Sequence, residues 1–166
     1  LFVPYFTAYK NWRRNGLKSM ERSLKNGKNI TAVTMDVASF YHNINPEFML
    51  RPLFLKTIGV ELSSEEVSFS QLLITSIKTW YSQTPDYKEN PQGAIPVGLS
   101  ASKIISNVLL FELDQDIYNN INPIYYGRYV DDIFLVFETP EDTTSGEAII
   151  RYISQRVDCI KINRDE

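Results

Sequence analysis

Two apolar runs meeting across a pair of acids constrain this chain more than any other feature. Tyr125-Tyr126-Gly127-Arg128-Tyr129-Val130 is rich in aromatic and β-branched residues, and so is Ile133-Phe134-Leu135-Val136-Phe137. Between them stand only Asp131 and Asp132. The pattern predicts a β-hairpin with both carboxylates at its tip. Turn propensity alone accounts for most adjacent aspartates at hairpin turns. This pair, however, follows one apolar strand directly and precedes another, so the like charges are held close and their repulsion needs a compensating cation. A third acid, Asp36, ends the β-branched run that starts at Ile30, 95 residues before Asp131. If the two strands neighbour each other in a sheet, three carboxylates converge at one edge.

The donor set narrows the cation. The chain has one Cys (Cys159) and one His (His42), too few for a zinc site. Oxygen ligands alone select Mg²⁺, with Mn²⁺ as an alternative. Two such ions about 3.5–4 Å apart clamp the attacking and leaving oxygens of a phosphoryl transfer. A lone cysteine forms no internal disulfide, the N-terminus lacks a signal-peptide layout, and the apolar runs are shorter than the roughly 18 residues of a membrane helix. A reduced, cytoplasmic setting without membrane contact is the expectation. Net charge is −3, but residues 10–28 carry Lys10, Arg13, Arg14, Lys18, Arg22, Lys25 and Lys28 against Glu21, a local balance of +6. This basic segment suits a phosphate backbone, and a solvated helix face is the alternative.

At 166 residues, with 43% hydrophobic and 22% charged, the chain is a globular piece of ordinary domain size, not a disordered one. Residues 11–26 predict a helix with Trp12, Leu17, Met20 and Leu24 on its apolar face and Gly27 as its stop. A strand over 30–37 follows. Asn45-Pro46 opens a helix that Gly59 closes, and Ser63 to Glu66 offers a capping box for another reaching about Tyr81. Residues 83–99 read as an extended loop. A long helix over about 101–120 carries Ile104, Ile105, Val108, Leu109, Leu113 and Ile117 on one side. After the hairpin come a helix over 146–156 and a short strand around 159–162. The order predicts an α+β fold, an antiparallel ferredoxin-like sheet with helices on one face.

The motifs, taken jointly, are specific. Tyr129-Val130-Asp131-Asp132 resembles the Tyr-x-Asp-Asp signature of reverse transcriptases. Asp36-Val37-Ala38-Ser39-Phe40-Tyr41-His42-Asn43-Ile44 resembles the first catalytic motif of the retron and group II intron members. Pro96-Val97-Gly98-Leu99-Ser100-Ala101-Ser102, running on to Asn107, is similar to the intervening motif that opens the long palm helix. Ile160-Lys161-Ile162-Asn163 is similar to the stretch before the family's fourth motif. The motifs keep the family order over residues 30–163.

The resemblance implies a polymerase palm from residue 30 to 166, preceded by a basic fingers-side segment, 1–29. The chain ends, Leu1 in place of an initiator Met and Glu166 with no recognisable thumb after it, make a piece of a larger protein the expectation. The resemblance implies Mg²⁺-dependent addition of dNTPs to a 3′-hydroxyl, with an RNA template and a DNA, RNA or protein primer as partners, and leaves open whether synthesis is templated and what the oligomeric state is. Asp36, Asp131 and Asp132 are the implied catalytic acids, and with the Val37 carbonyl they are the implied ligands of two ions. Val37, Ala38, Ser39, Phe40, Tyr41, Val97 and Gly98 are the implied nucleotide-binding residues. Tyr41 occupies the place of an aromatic that excludes a 2′-hydroxyl, whereas Phe40 reads as core. Lys10 to Lys28 would touch template or primer.

Departures from the family pattern are also informative. Val97 stands where many reverse transcriptases have Gln, and Ser100 and Lys103 replace prolines of the retron-like form. The form Pro-x-Gly-x-x-x-Ser resembles the bacterial defence-associated and abortive-infection members, some of which extend DNA without a supplied template. Rival readings are an RNA-dependent RNA polymerase palm, against which Tyr41 argues, and an inactive nucleic-acid-binding scaffold, against which the three acids argue. His42 reads as a surface or packing residue and Cys159 as a small buried hydrophobe. Arg128 is open between a primer phosphate and a carboxylate in the sheet.

Overall fold

The apolar run Ile133–Phe137 becomes the middle of an antiparallel sheet. The computed structural model describes residues 4–141, 143 and 145–158. In chain order the elements are α1 (Tyr5–Lys25), β1 (Ile30–Met35), α2 (Pro52–Thr57), α3 (Ser64–Tyr81), α4 (Ser100–Leu109), α5 (Phe111–Ile121), β2 (Tyr125–Tyr129), β3 (Asp132–Glu138) and α6 (Gly146–Ser154). Short 3₁₀ turns lie at Phe40–Asn43, Pro46–Leu50 and Pro85–Lys88. Residues up to 37 and from 112 onward form one compact unit, and residues 38–111 form another.

In the first unit the strand order is β1-β3-β2, the ferredoxin-like order for these strands, with Thr34 opposite Phe134 and Gly127 opposite Phe134 on the other side. The α+β class with an antiparallel sheet is as expected, but helices lie on both faces of the sheet and not on one. Alternation sends Phe134 and Val136 to one face of β3 and Ile133, Leu135 and Phe137 to the other. Helix α1 covers the first face, where Trp12 meets Phe134 edge-on at 6.0 Å. On the second face, Tyr152 of α6 stacks on Phe137 at 5.4 Å, and Tyr118 of α5 meets Tyr126 of β2. Cover on two faces leaves Ile133 to Phe137 all buried, each such side chain being worth roughly 1.5–3 kcal/mol of transfer free energy.

Several boundaries differ from the sequence reading, each for a local reason. Helix α1 starts at Tyr5, six residues before the expected start at residue 11, and ends as expected, with Gly27 at φ +72°. Its inner face is only partly the one predicted: Trp12 and Met20 turn inward as expected, but Leu17 and Leu24 are exposed and Gly16 and Ser23 are buried in their place. Strand β1 stops at Met35, so Asp36 and Val37 lie just past the ladder. The helix expected between Pro46 and Gly59 is instead a 3₁₀ turn followed by α2. Pro52 lacks an N–H and holds Arg51 extended at φ −72°, ψ 125°, which interrupts the helix. The Ser63–Glu66 capping box forms as read, and α3 ends at Tyr81.

The single helix expected over 101–120 breaks at Leu110 (ψ 11°). Ser106 and Asn107 both donate side-chain hydrogen bonds to the Lys103 carbonyl, at 3.1 and 2.6 Å, a back-bonding that bends helices. Ile104, expected on the apolar side, is exposed. Helix α6 ends at Ser154, two residues before the expected boundary at 156. The strand expected at 159–162, with Cys159, lies outside the described residues.

Candidate active site

The hairpin turn is set by the register. Tyr129 pairs with Asp132, leaving Val130 and Asp131 as a two-residue loop. Val130 has φ +58° and is the first central residue of that loop, a position at which such turns favour glycine. A β-branched side chain there is strained by about 1–3 kcal/mol, which persists only where neighbours hold it.

The holding group is Arg128. Its Nη1 donates to the Val130 carbonyl at 2.7 Å. Its Nε and Nη2 donate in a fork to Asp114 Oδ1 and Oδ2 of α5, at 3.0 and 2.9 Å. The Tyr126 hydroxyl donates to the same carboxylate. The Arg128 side chain is only 8% exposed and that of Asp114 27%. Burial alone would lower the guanidinium's pKa, but the Asp114 carboxylate outweighs it and the value lies above the ordinary one. Burial, reinforced by Asp114, pushes the Tyr126 phenol far upward, so it stays a donor. The sequence leaves Arg128 between a primer phosphate and a carboxylate in the sheet; the structure pairs it with a carboxylate, but one from helix α5. Asp114 was not singled out from the sequence.

The three acids come from one sheet end. The ladder between β1 and β3 closes with Met35 opposite Ile133, so Asp36 follows one position on, beside Asp132. Asp132 feels both other acids. Partial burial raises its pKa above the ordinary carboxylate value, and the charges of Asp131 and Asp36 raise it further. Among the described residues no three His, Cys, Asp or Glu side chains are gathered into a ready-made metal cage. The donor chemistry still fits a hard divalent cation: the neighbouring groups are carboxylates, and their mutual repulsion is what such a cation relieves.

Of the remaining candidates, Val37 closes the first unit's opening stretch, while Ala38, Ser39, Phe40 and Tyr41, with Val97 and Gly98 of the intervening motif, belong to the second unit. Ser39 takes a left-handed backbone (φ 50°, ψ 37°) and starts the 3₁₀ turn that carries Phe40 and Tyr41. Phe40 is buried, as expected of a core residue, while Tyr41 is half-buried against it with ring centroids 5.7 Å apart. The Tyr41 carbonyl accepts from Ile95 N–H at 3.0 Å. Asn90 Nδ2 donates to the carbonyl of exposed His42 at 2.7 Å, and buried Tyr81 donates to the Asn90 carbonyl at 2.7 Å. The turn with Tyr41 is thereby stitched to the loop that runs into Val97 and Gly98. Gly98 has φ +91° with open space around it, so conformation and not room requires glycine there. Val97 and Ala38 are exposed.

The basic residues sit on α1 and just beyond it, all exposed. Lys10, Arg14, Lys18 and Arg22 recur every four residues and so form a stripe. Lys25 pairs with Glu21 at 2.6 Å and Lys28 with Glu138 at 3.0 Å. Among the described residues no helix is long and apolar enough to cross a membrane.

An antiparallel sheet of this order, with acids at the tip of its central hairpin, defines the α+β palm class. The family model described as "Reverse transcriptase (RNA-dependent DNA polymerase)" matches residues 6–162, and the chain belongs to that family. No curated protein matches the chain. At the family level, membership brings nucleotidyl transfer with dNTPs and a nucleic-acid template and primer.

Proposed function

We propose that this chain adds deoxynucleotides to a primer 3′-hydroxyl, working in the cytoplasm as part of a bacterial antiphage-defence or retron-like system. A new bond forms between the 3′-oxygen and the α-phosphorus, the bond to the β-phosphate breaks, and pyrophosphate leaves while the hydroxyl proton passes to solvent. Asp36, Asp131 and Asp132, with the Val37 carbonyl, would hold two Mg²⁺ ions, Mn²⁺ being an alternative. When bound, such ions acidify the attacking hydroxyl and neutralise the leaving pyrophosphate. Family membership and one structural observation support this reading: the Asp132 carboxyl is crowded by Asp131 and Asp36. Crowded carboxylates at a strained turn suit a site built for cations.

In the same proposal Tyr41 packs beneath the sugar and rejects ribonucleotides, Gly98 and Val97 line the nucleotide path, and the α1 stripe contacts template or primer phosphates irrespective of sequence. Tyr41→Ala is expected to raise ribonucleotide incorporation relative to deoxynucleotide incorporation by roughly 10-fold or more. Competing dNTP and NTP in primer extension measures it, and an unchanged ratio removes Tyr41 from this role. The reading as a whole is tested by incubating the intact protein with Mg²⁺ and labelled dNTPs, with and without RNA template, beside Asp131→Ala/Asp132→Ala. Product lost in the variant supports it. Wild type and variant behaving alike would leave a nucleic-acid-binding scaffold. Product formed without template would turn attention to Val97, which is 75% exposed where many relatives place Gln.

A further inference from the structure

We propose that Arg128 and Asp114 form a positioning pair that fixes the geometry of the Val130–Asp131 turn beside Asp132, and through it the affinity for divalent cations. The inference rests on the polymerase reading for its catalytic consequence, while its structural part stands on contacts alone. Three of the Arg128 hydrogen bonds are directed: two to the Asp114 carboxylate and one to the carbonyl of Val130. Val130 is the residue at φ +58°, next to Asp131. A β-branched residue relaxes out of that region unless something holds it, and the guanidinium grips its carbonyl.

Asp114 in turn determines where the guanidinium can be. The bidentate fork fixes both the position and the plane of the group, which a lysine ammonium cannot reproduce. Tyr126, on the same face of β2 as Arg128, donates to Asp114 and limits the rotation of that carboxylate. The chain of contacts therefore runs from helix α5 through Asp114 and Arg128 to the turn. Neither residue of the pair is a proposed metal ligand or is argued to touch substrate. Their part is to keep the acids aimed, as outer residues around a metal do for its ligands.

The test uses the intact protein and reads Mn²⁺ binding by the electron paramagnetic resonance of the free ion, alongside primer extension and thermal unfolding. Arg128→Lys keeps the charge, and Asp114→Asn keeps the shape. Each is expected to weaken Mn²⁺ binding by about 10- to 100-fold, the usual effect of removing an outer partner. Each should also lower kcat by a comparable factor, raise the Mg²⁺ concentration for half-maximal rate, and leave KM for dNTP within a few-fold. Arg128→Lys, the milder change, is the variant to follow if Asp114→Asn unfolds. Activity loss that merely tracks the unfolding temperature, with Mn²⁺ affinity and Mg²⁺ requirement unchanged, overturns the proposal. Mn²⁺ binding that depends on Asp131 and weakens in Arg128→Lys, without any nucleotide addition by wild type, would keep the pair and sink the polymerase reading. Wild-type synthesis unaffected by both variants would do the reverse.

Discussion

An Asp132→Asn variant is expected to lose nucleotide addition by about 10³-fold or more, the several kcal/mol that metal-held charge stabilisation is worth. In the absence of divalent ions the same variant is expected to unfold at a slightly higher temperature than wild type. The two effects have one origin. Asp132 holds its proton more tightly in the folded chain than in an unfolded one, because burial and the charges of Asp131 and Asp36 disfavour its ionised form. Stability linked to this group is complete below the ordinary carboxylate pKa and is lost as pH rises through the raised folded value. At neutral pH the folded protein therefore bears the repulsion, and asparagine removes it. Solvent screens a partly exposed group, so the gain is a few tenths of a kcal/mol to about 1. As pH falls below the carboxylate range the difference between wild type and variant should vanish.

Divalent ions should invert the ranking. A cation that binds only the folded form stabilises by mass action, by about 2.7 kcal/mol at a hundred times its dissociation constant. Wild type should gain this with Mg²⁺ or Mn²⁺ and Asp132→Asn should not. Melting curves at several pH values, with and without the ion, check both halves. If the variant is less stable than wild type in chelator at neutral pH, the carboxylates do not repel as argued. If added ion stabilises both proteins equally, Asp132 is not a ligand.

Much of the sheet was legible because strands announce themselves by what they bury. Ile133 to Phe137 is a continuous apolar run, and the structure covers it on both faces. The paired acids marked the turn to within one residue: the register puts the two-residue loop at Val130 and Asp131, and Asp132 already pairs with Tyr129 as the first residue of β3. The Ser63 capping box and Gly27 were legible for the same local reason, since each satisfies backbone groups within a few residues. Features that depend on packing between distant elements were not. Asp114 is an ordinary acid near the start of a helix, and only the fold carries it to Arg128. Asn90 and Tyr81 stitch the Tyr41 turn through backbone carbonyls, which no side-chain pattern records. The break at Leu110 has no Gly or Pro to announce it. Hydrophobic periodicity found Trp12 and Met20 on the inner face of α1 but misplaced the rest, because it scored Leu17 and Leu24 and passed over Gly16.

Gly16→Ala is the substitution expected to cost the fold most for its size. On an exposed helix, alanine for glycine is favourable by about 1 kcal/mol. At this position the added Cβ would stand 2.3 Å from Phe134 Cε1 and 2.5 Å from Cδ1. The phenyl ring cannot swing away freely, since Phe134 is buried and packed edge-on by Trp12 and Tyr125. Overpacking of this kind costs about 1–3 kcal/mol, so the clash outweighs the propensity gain and the net sign is destabilising. For a chain of this size, each kcal/mol lowers the melting temperature by about 2–4 °C. Gly16→Leu should be worse still. The decisive measurement is the double variant Gly16→Ala/Phe134→Leu, in which the shorter side chain makes room. Its loss should be smaller than the two single losses together, by a coupling of about 0.5–3 kcal/mol. Additive losses, or a Gly16→Ala protein as stable as wild type, would mean that α1 does not approach β3 this closely. Because β3 begins at Asp132, a displaced α1 should also reduce nucleotide addition, and the double variant should recover part of it.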